Sequence, residues 1–198
     1  MISHLRGSLL EKHPNQIVID VHGVGYEVTI PVSVYSSLPD QGAPVRMHIY
    51  QHVREDILAL YGFITKDDKA LFEKLIAVSG IGPKLAITAL SGLTTEDLVA
   101  AIRSGAVEQL VRIPGVGKKT AERMVLELRD KLGPLGASQS GTGTPKSAFS
   151  TTEEDVISAL MNFGATRGSA EAAVNKARSA NESNDFDALF RRALKLVR

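Results

Sequence analysis

Two sixteen-residue stretches, Leu75–Leu90 and Leu110–Val125, align without gaps and share five identities: Leu, Gly, Gly, Lys and Ala. Most of the remaining pairs keep their apolar character. An internal repeat names the unit of architecture before any other signal does. Here each copy reads as a helix, a Gly-hydrophobic-Gly turn and a second helix. The turns are Gly80-Ile81-Gly82 and Gly115-Val116-Gly117. Glycine admits positive φ and has no side chain to block a close neighbour. A turn that opens directly into a helix presents amides with no intrahelical partner. Together with the positive end of the helix dipole they attract a phosphate oxygen. Lys84 follows the first turn, and Lys118 and Lys119 follow the second. Arg123, further along the same outgoing helix, is placed to face the same ligand. A glycine-capped helix hairpin explains one such copy; two copies at fixed spacing, each with lysine, favour a nucleic-acid backbone.

Composition narrows the class by what it excludes. The 198 residues fit one or two ordinary domains or three small ones. No cysteine is present, which removes disulfides, thiolate metal sites and cysteine nucleophiles. That is compatible with a reducing cytoplasm, the expected location. The amino terminus, Met1-Ile2-Ser3-His4-Leu5-Arg6, lacks the layout of a signal peptide. No apolar run reaches the roughly 18 residues of a membrane helix. The formal net charge is +1. Residues 1–63 hold 4 basic and 6 acidic side chains, 64–133 hold 11 and 9, and 134–198 hold 8 and 7. A binding surface must therefore come from arrangement rather than bulk charge.

Residues 1–63 read as short strands. Ile17, Ile19 and Val21 alternate as on a half-buried strand. A turn at Gly23-Val24-Gly25 precedes a strand over Tyr26–Ile30, and Pro39-Asp40-Gln41-Gly42 precedes one over Val45–Val53. A last strand covers Ile57–Ile64. This pattern predicts a small barrel or sandwich. Without Trp, and with few Tyr and Phe, the segment offers poor platforms for base stacking. His48, Tyr50 and His52 share a strand face; a polar face explains them better than a metal site. Glu55 and Asp56 sit at a hairpin tip, where a solvated turn is the plain reading. Residues 64–133 are helical, with a helix start at Thr94-Thr95-Glu96-Asp97 and a stop at Gly105. Between 133 and 150, twelve of eighteen residues are Gly, Pro, Ser or Thr. That reads as a flexible tether spanning about 23 Å. Three helices follow, with Ala159, Leu160, Phe163, Ala173, Val174, Leu189, Phe190 and Leu194 as the expected core.

The paired hairpins resemble the tandem helix-hairpin-helix domain, which grips phosphates of both strands across a minor groove without reading bases. The resemblance makes Gly80, Gly82, Lys84, Gly115, Gly117, Lys118, Lys119 and Arg123 the DNA backbone-binding set. The first copy departs from the pattern, with Pro83 where the second has Lys118, so the second should attract more strongly. Over its full length the chain resembles the RuvA family, the Holliday-junction-binding subunits of the bacterial RuvAB branch-migration complex. Gly23-Val24-Gly25-Tyr26, Arg54-Glu55-Asp56, Leu60-Tyr61-Gly62-Phe63 and both hairpins carry that likeness.

The resemblance implies a multi-domain α+β chain. Residues 1–63 form an OB-like β-barrel, 64–133 an all-α tandem helix-hairpin-helix domain, 134–150 a flexible linker and 151–198 a three-helix, ubiquitin-associated-like (UBA-like) domain. It implies a homotetramer or face-to-face octamer that holds Holliday junction DNA open and flat. Glu55 and Asp56 match the family's acidic pin at the junction centre. The terminal domain should contact the hexameric RuvB ATPase, and a RuvC-type resolvase is a further expected partner. The setting is recombination, repair and the SOS response, with no membrane, cofactor, metal or catalytic residue expected.

An ATPase is excluded by residue. A phosphate loop needs glycine five positions before its Gly-Lys pair and Ser or Thr after the lysine; Arg112 and Lys119 stand there. The enzyme alternative is a helix-hairpin-helix glycosylase or lyase, whose catalytic Asp would have to be Asp130 or Asp155. Neither belongs to an obvious base pocket. A generic duplex-binding adaptor is the third reading, and preference for four-way junctions separates it from the first.

Overall fold

The computed structural model describes residues 1–133, 135–136, 149–178 and 185–197. They belong to two compact units, Met1–Ser138 and Gln139–Arg198. The first unit opens with β1 (His4–His13), β2 (Gln16–Val21), β3 (Val24–Thr29), the short helix α1 (Val32–Tyr35), β4 (Pro44–Val53) and β5 (Leu58–Phe63). The strands close in the order β1-β2-β3-β5-β4. Alternation sends Ile17, Ile19, Val28, Val45, Met47 and Ile49 inward, where all are buried. The OB-like barrel is thus the expected architecture, with one strand that the hydrophobic pattern hides.

That strand is β1. Its period breaks at Gly7 and again at a bulge between Leu9 and Glu11, so Leu5 and Leu9 are buried while Leu10 faces solvent. Gly7 is required by a neighbour distant in sequence. A Cβ there would stand 2.0 Å from the Asp20 carbonyl oxygen. Replacing it forces β1 off β2, and Gly7→Ala is expected to cost about 2–3 kcal/mol, as overpacking does. Urea denaturation of the full chain measures this as a lower midpoint.

The β2–β3 turn lies one residue earlier than Gly23-Val24-Gly25. His22 and Gly23 form it, with φ of 54° and 88°, the signature of a type I′ hairpin whose twist suits the strands. The Asp20 carboxylate accepts from the Gly23 amide at 2.8 Å. Val24 and Gly25 are already paired with Val21 and Asp20.

Five helices complete the unit: α2 (Lys66–Ile76), α3 (Pro83–Gly92), α4 (Thr95–Ser104), α5 (Val107–Val111) and α6 (Lys118–Leu128). Thr65 caps α2 through a reciprocal box with Asp68. Thr94 accepts from the Asp97 amide at the start of α4, and Gly105 ends that helix in the left-handed region. Phe72 of α2 packs against Tyr50, Tyr61 and Phe63 of the barrel, with ring centroids 5.3, 5.2 and 5.0 Å away. This aromatic contact joins barrel and helices. The helical core runs on past Leu132 to Leu135, which is buried, and the Arg103 guanidinium donates to the Gly133 carbonyl. The packed chain therefore extends into the stretch read as tether. Residues 134 and 137–148 of that stretch lie outside the described residues.

The second unit holds α7 (Thr151–Asn162), α8 (Arg167–Arg178) and α9 (Phe186–Leu196). Ser150 and Glu153 form a capping box on α7. Val156, Leu160, Ala173, Val174, Leu189 and Ala193 are buried. Of the other expected core residues, Ala159 and Phe190 are half-buried, while Phe163 is 73% exposed and Leu194 42%. Phe163 caps α7 just before Gly164, whose φ of 93° turns the chain away from the helical period. Leu194 lies one residue off the Leu189–Ala193 stripe. Among the described residues no single helix is long and apolar enough to cross a membrane.

Candidate nucleic-acid interface

The two hairpins have the same backbone. Ile81 donates its amide to the Val78 carbonyl and Val116 to that of Ile113, both at 3.0 Å. Each bond closes a four-residue turn whose third residue, Gly80 or Gly115, has φ of 90° or 85°. Positive φ at that position is what a type II turn needs, and Pro114 occupies the preceding position it favours. The hydrophobic residue between the glycines, Ile81 or Val116, is buried in the helical core and anchors the turn.

The second glycine of each pair has a different reason to be there. Gly82 and Gly117 are the N-caps of α3 and α6, with φ of −90° and −84° that any residue adopts. A Cβ at either would meet nothing within 4 Å. Ser or Asp would cap the helix at least as well. Neither turn geometry nor packing calls for glycine at these two positions. What glycine supplies is an unobstructed approach to the helix start from outside.

That approach leads to amides and cations. At α6, Ala121 is the first residue bonded back to the N-cap, at 2.9 Å from the Gly117 carbonyl. The amides of Lys118, Lys119 and Thr120 precede it and have no intrahelical partner. At α3, Ala86 plays that part, and Pro83 has no amide to give. The first hairpin therefore offers one amide and one lysine fewer. Lys84, Lys118 and Lys119 are exposed, and among the described residues none lies within 4.0 Å of a carboxylate.

The hairpins also touch one another. Leu85 of α3 comes within 3.1 Å of where a Gly115 Cβ would be. Arg123 of α6 donates to the Ser79 carbonyl at 2.9 Å and lies 4.0 Å from Glu127. Its guanidinium thus ties the second hairpin's helix to the first hairpin's turn. Sequence position alone shows the charge of Arg123 but not this partner, 44 residues away.

Glu55 and Asp56 are the two central residues of the β4–β5 loop. Arg54 and Ile57 close it with amide-to-carbonyl bonds of 2.8 and 3.4 Å. Neither acid has positive φ, so this loop lacks the I′ geometry that His22-Gly23 provides in the same barrel. Both carboxylates are exposed, and among the described residues neither is ion-paired. Arg54 turns back along the strand and donates to His52 Nε2 at 3.1 Å.

A closed five-stranded barrel joined to two interlocked helix-hairpin-helix units, each with an open helix start, defines a DNA-binding protein of the helix-hairpin-helix class. Residues 1–62 match the family model described as the RuvA N terminal domain, and residues 72–130 that of the SAM-like helix-hairpin-helix tandem. Similar proteins carry the name Holliday junction branch migration complex subunit RuvA. That of Solibacter usitatus (strain Ellin6076) is 61% identical over 198 residues, all of both chains. That of Acidobacterium capsulatum is 53% identical over 202 residues, again all of both. That of Syntrophotalea carbinolica is 43% identical over 197 residues, covering 100% of this chain and 99% of its own. The chain belongs to the RuvA family of Holliday junction branch migration complex subunits.

Proposed function

We propose that this protein binds four-way DNA junctions through their phosphates, as a fourfold assembly that holds the arms open and flat. It recruits a separate hexameric ATPase of the RuvB type, which drives branch migration in recombination and repair. The observation that carries the DNA reading is the open space over Gly82 and Gly117, in front of partnerless amides and lysines. Phosphate contacts position a protein on DNA without reporting sequence, which suits a junction of any sequence. Four chains bring eight hairpins to one junction, giving on the order of ten phosphate contacts and a steep salt dependence. Mass measurement of the complex on a four-way junction tests this. Four or eight chains per junction are expected; one or two contradict the assembly.

Glu55 and Asp56 form the acidic pin in this reading. Their loop gives up favourable hairpin chemistry for two carboxylates, which supports a role for the side chains over a solvated turn. At the junction centre they repel phosphates and help keep strands apart. The double variant Glu55→Gln/Asp56→Asn is expected to bind junctions as tightly as wild type or up to about tenfold tighter, about 1.4 kcal/mol. It should discriminate less against plain duplex and show altered branch migration. Unaltered discrimination and migration would return the loop to the status of a solvated turn.

The second unit serves the motor. Phe163, Phe190 and Phe186, in that order, form an aromatic ladder with successive centroids 5.8 Å apart. Phe163 and Phe186 are exposed together with Met161, Leu194 and Leu196. An apolar surface on a bundle this small marks a contact with another protein. Carrying that contact on the same chain as the DNA-binding unit keeps the partner's local concentration high.

A further inference from the structure

The barrel segment is poor in cations, yet two of its four lysine or arginine residues stand directly opposite each other. Arg6 of β1 pairs with Arg46 of β4. Two residues along, on the same face, His4 pairs with His48, with ring centroids 5.9 Å apart. Like charges set directly across a ladder destabilise it, and the Arg6–Arg46 pair does so. The first turn of α2, which also carries Asp67 and the Thr65- and Thr95-bonded Asp68, brings Lys66 and Lys69 close enough to act on His48. Lys69 lies 3.7 Å from Glu73. Among the described residues no carboxylate comes within 4.0 Å of Arg6, Arg46 or Lys66. Burial, and then the charges of His4, Lys66, Lys69 and Arg46, hold the His48 pKa below its ordinary 6.5. The β5 residue opposite His48 is Phe63, so that side offers no compensating charge.

We propose that this face of the barrel is a second phosphate-binding surface, taking the sugar-phosphate backbone of a duplex arm beyond the hairpins. The proposal rests on the junction-binding reading. Its placement argues for DNA over an acidic protein. Lys66 and Lys69 begin α2, and the same helix ends at the first hairpin turn. Eleven residues of helix span about 16 Å, and the turn brings the separation to roughly 20 Å, the rise of about six base pairs. The patch also lies on β4, which leads into the acidic pin nine residues and about 30 Å further on, so a centre at the pin leaves it under an arm. The arginines are held on paired strands and present fixed forks suited to phosphate. The nearby rings of Tyr50 and Tyr61 are packed on Phe72 and do not stack bases. Contact is therefore to backbone alone.

Arg6→Gln/Arg46→Gln in the full chain tests the surface, because it removes a cross-strand repulsion and so should not lower the thermal midpoint. Binding is measured by fluorescence anisotropy over a range of salt, on four-way junctions with arms of about 6 and about 20 base pairs. The variant is expected to bind long-armed junctions roughly tenfold more weakly, with the logarithmic salt slope smaller by about two per bound chain. Short-armed junctions should be bound as by wild type. Phosphate beside His48 raises its pKa, so binding takes up a proton. Affinity for long arms should rise as pH falls from 7.5 to 5.5, and rise less in His48→Gln. Equal affinity, slope and arm-length dependence in variant and wild type overturn the proposal. So does loss of motor stimulation with DNA affinity intact, which assigns the patch to an acidic protein. A wild type without junction preference sinks the junction reading instead; a variant defect on long linear duplex then still supports the patch.

Discussion

A chain truncated after Ser138 is expected to bind four-way junctions within a fewfold of wild type and to lose all stimulation of a RuvB-type ATPase. The cut follows the boundary of the first compact unit and keeps Leu132 and Leu135, which seal its core. Ending the chain at Leu132 would remove the Leu135 anchor and the Gly133 carbonyl that Arg103 uses, confusing a folding defect with a functional one. Every hairpin and pin residue remains in the truncated chain, so its oligomeric state and salt slope should be unchanged. The exposed aromatic ladder is gone, and with it the motor contact. Added in trans, residues 149–198 should bind the ATPase but not DNA. Steady-state ATP hydrolysis and branch migration measured beside junction affinity separate the two roles. Full migration without the second unit, or loss of junction binding with it, shows the division of labour to be wrong.

The double variant Gly82→Val/Gly117→Val should lose at least about a hundredfold in junction affinity, roughly 2.7 kcal/mol or more, while keeping the wild-type fold at a melting point lowered by two weaker N-caps, about 1 kcal/mol each. Both positions have ordinary φ and room for a side chain, so the turns persist. The added methyl groups occupy the space through which a phosphate reaches the helix start. The loss should be uniform across DNA sequences, since only backbone contacts are removed. Gly115→Val is a poorer probe: its φ of 85° and the Leu85 contact make it a folding variant as well. Anisotropy titrations with circular dichroism melts on the same samples decide the matter. A well-folded variant that binds normally removes the hairpins from the interface.

The hairpins were legible because their logic is local. Two glycines, a hydrophobic plug and a lysine lie within five residues, and duplication displays them twice. What remained hidden was the division between the glycines. Gly80 and Gly115 answer to positive φ, whereas Gly82 and Gly117 have ordinary φ and open space before them, and only backbone angles tell them apart. β1 was hidden because Gly7 answers to Asp20 across the barrel and the bulge after Leu9 breaks the alternation. The tie from Arg123 to Ser79 is equally non-local. Phe163 fits a helical core period, but Gly164 turns the chain before that period can place it inside. Glu55 and Asp56 were visible as a hairpin tip, and the structure adds the contrast with His22-Gly23, where the same barrel uses ordinary turn chemistry.

The central claim, that open helix starts on paired hairpins grip a four-way junction by its backbone, is tested most directly by competition. Full-length protein bound to a labelled four-way junction is challenged with unlabelled junction or with linear duplex of the same total sequence, at fixed salt. Unlabelled junction should displace the label at concentrations at least a hundredfold lower than duplex, about 2.7 kcal/mol of preference, whatever base sequence the arms carry. Displacement by duplex and junction at the same concentration of base pairs would contradict the claim and leave a generic duplex-binding adaptor in its place.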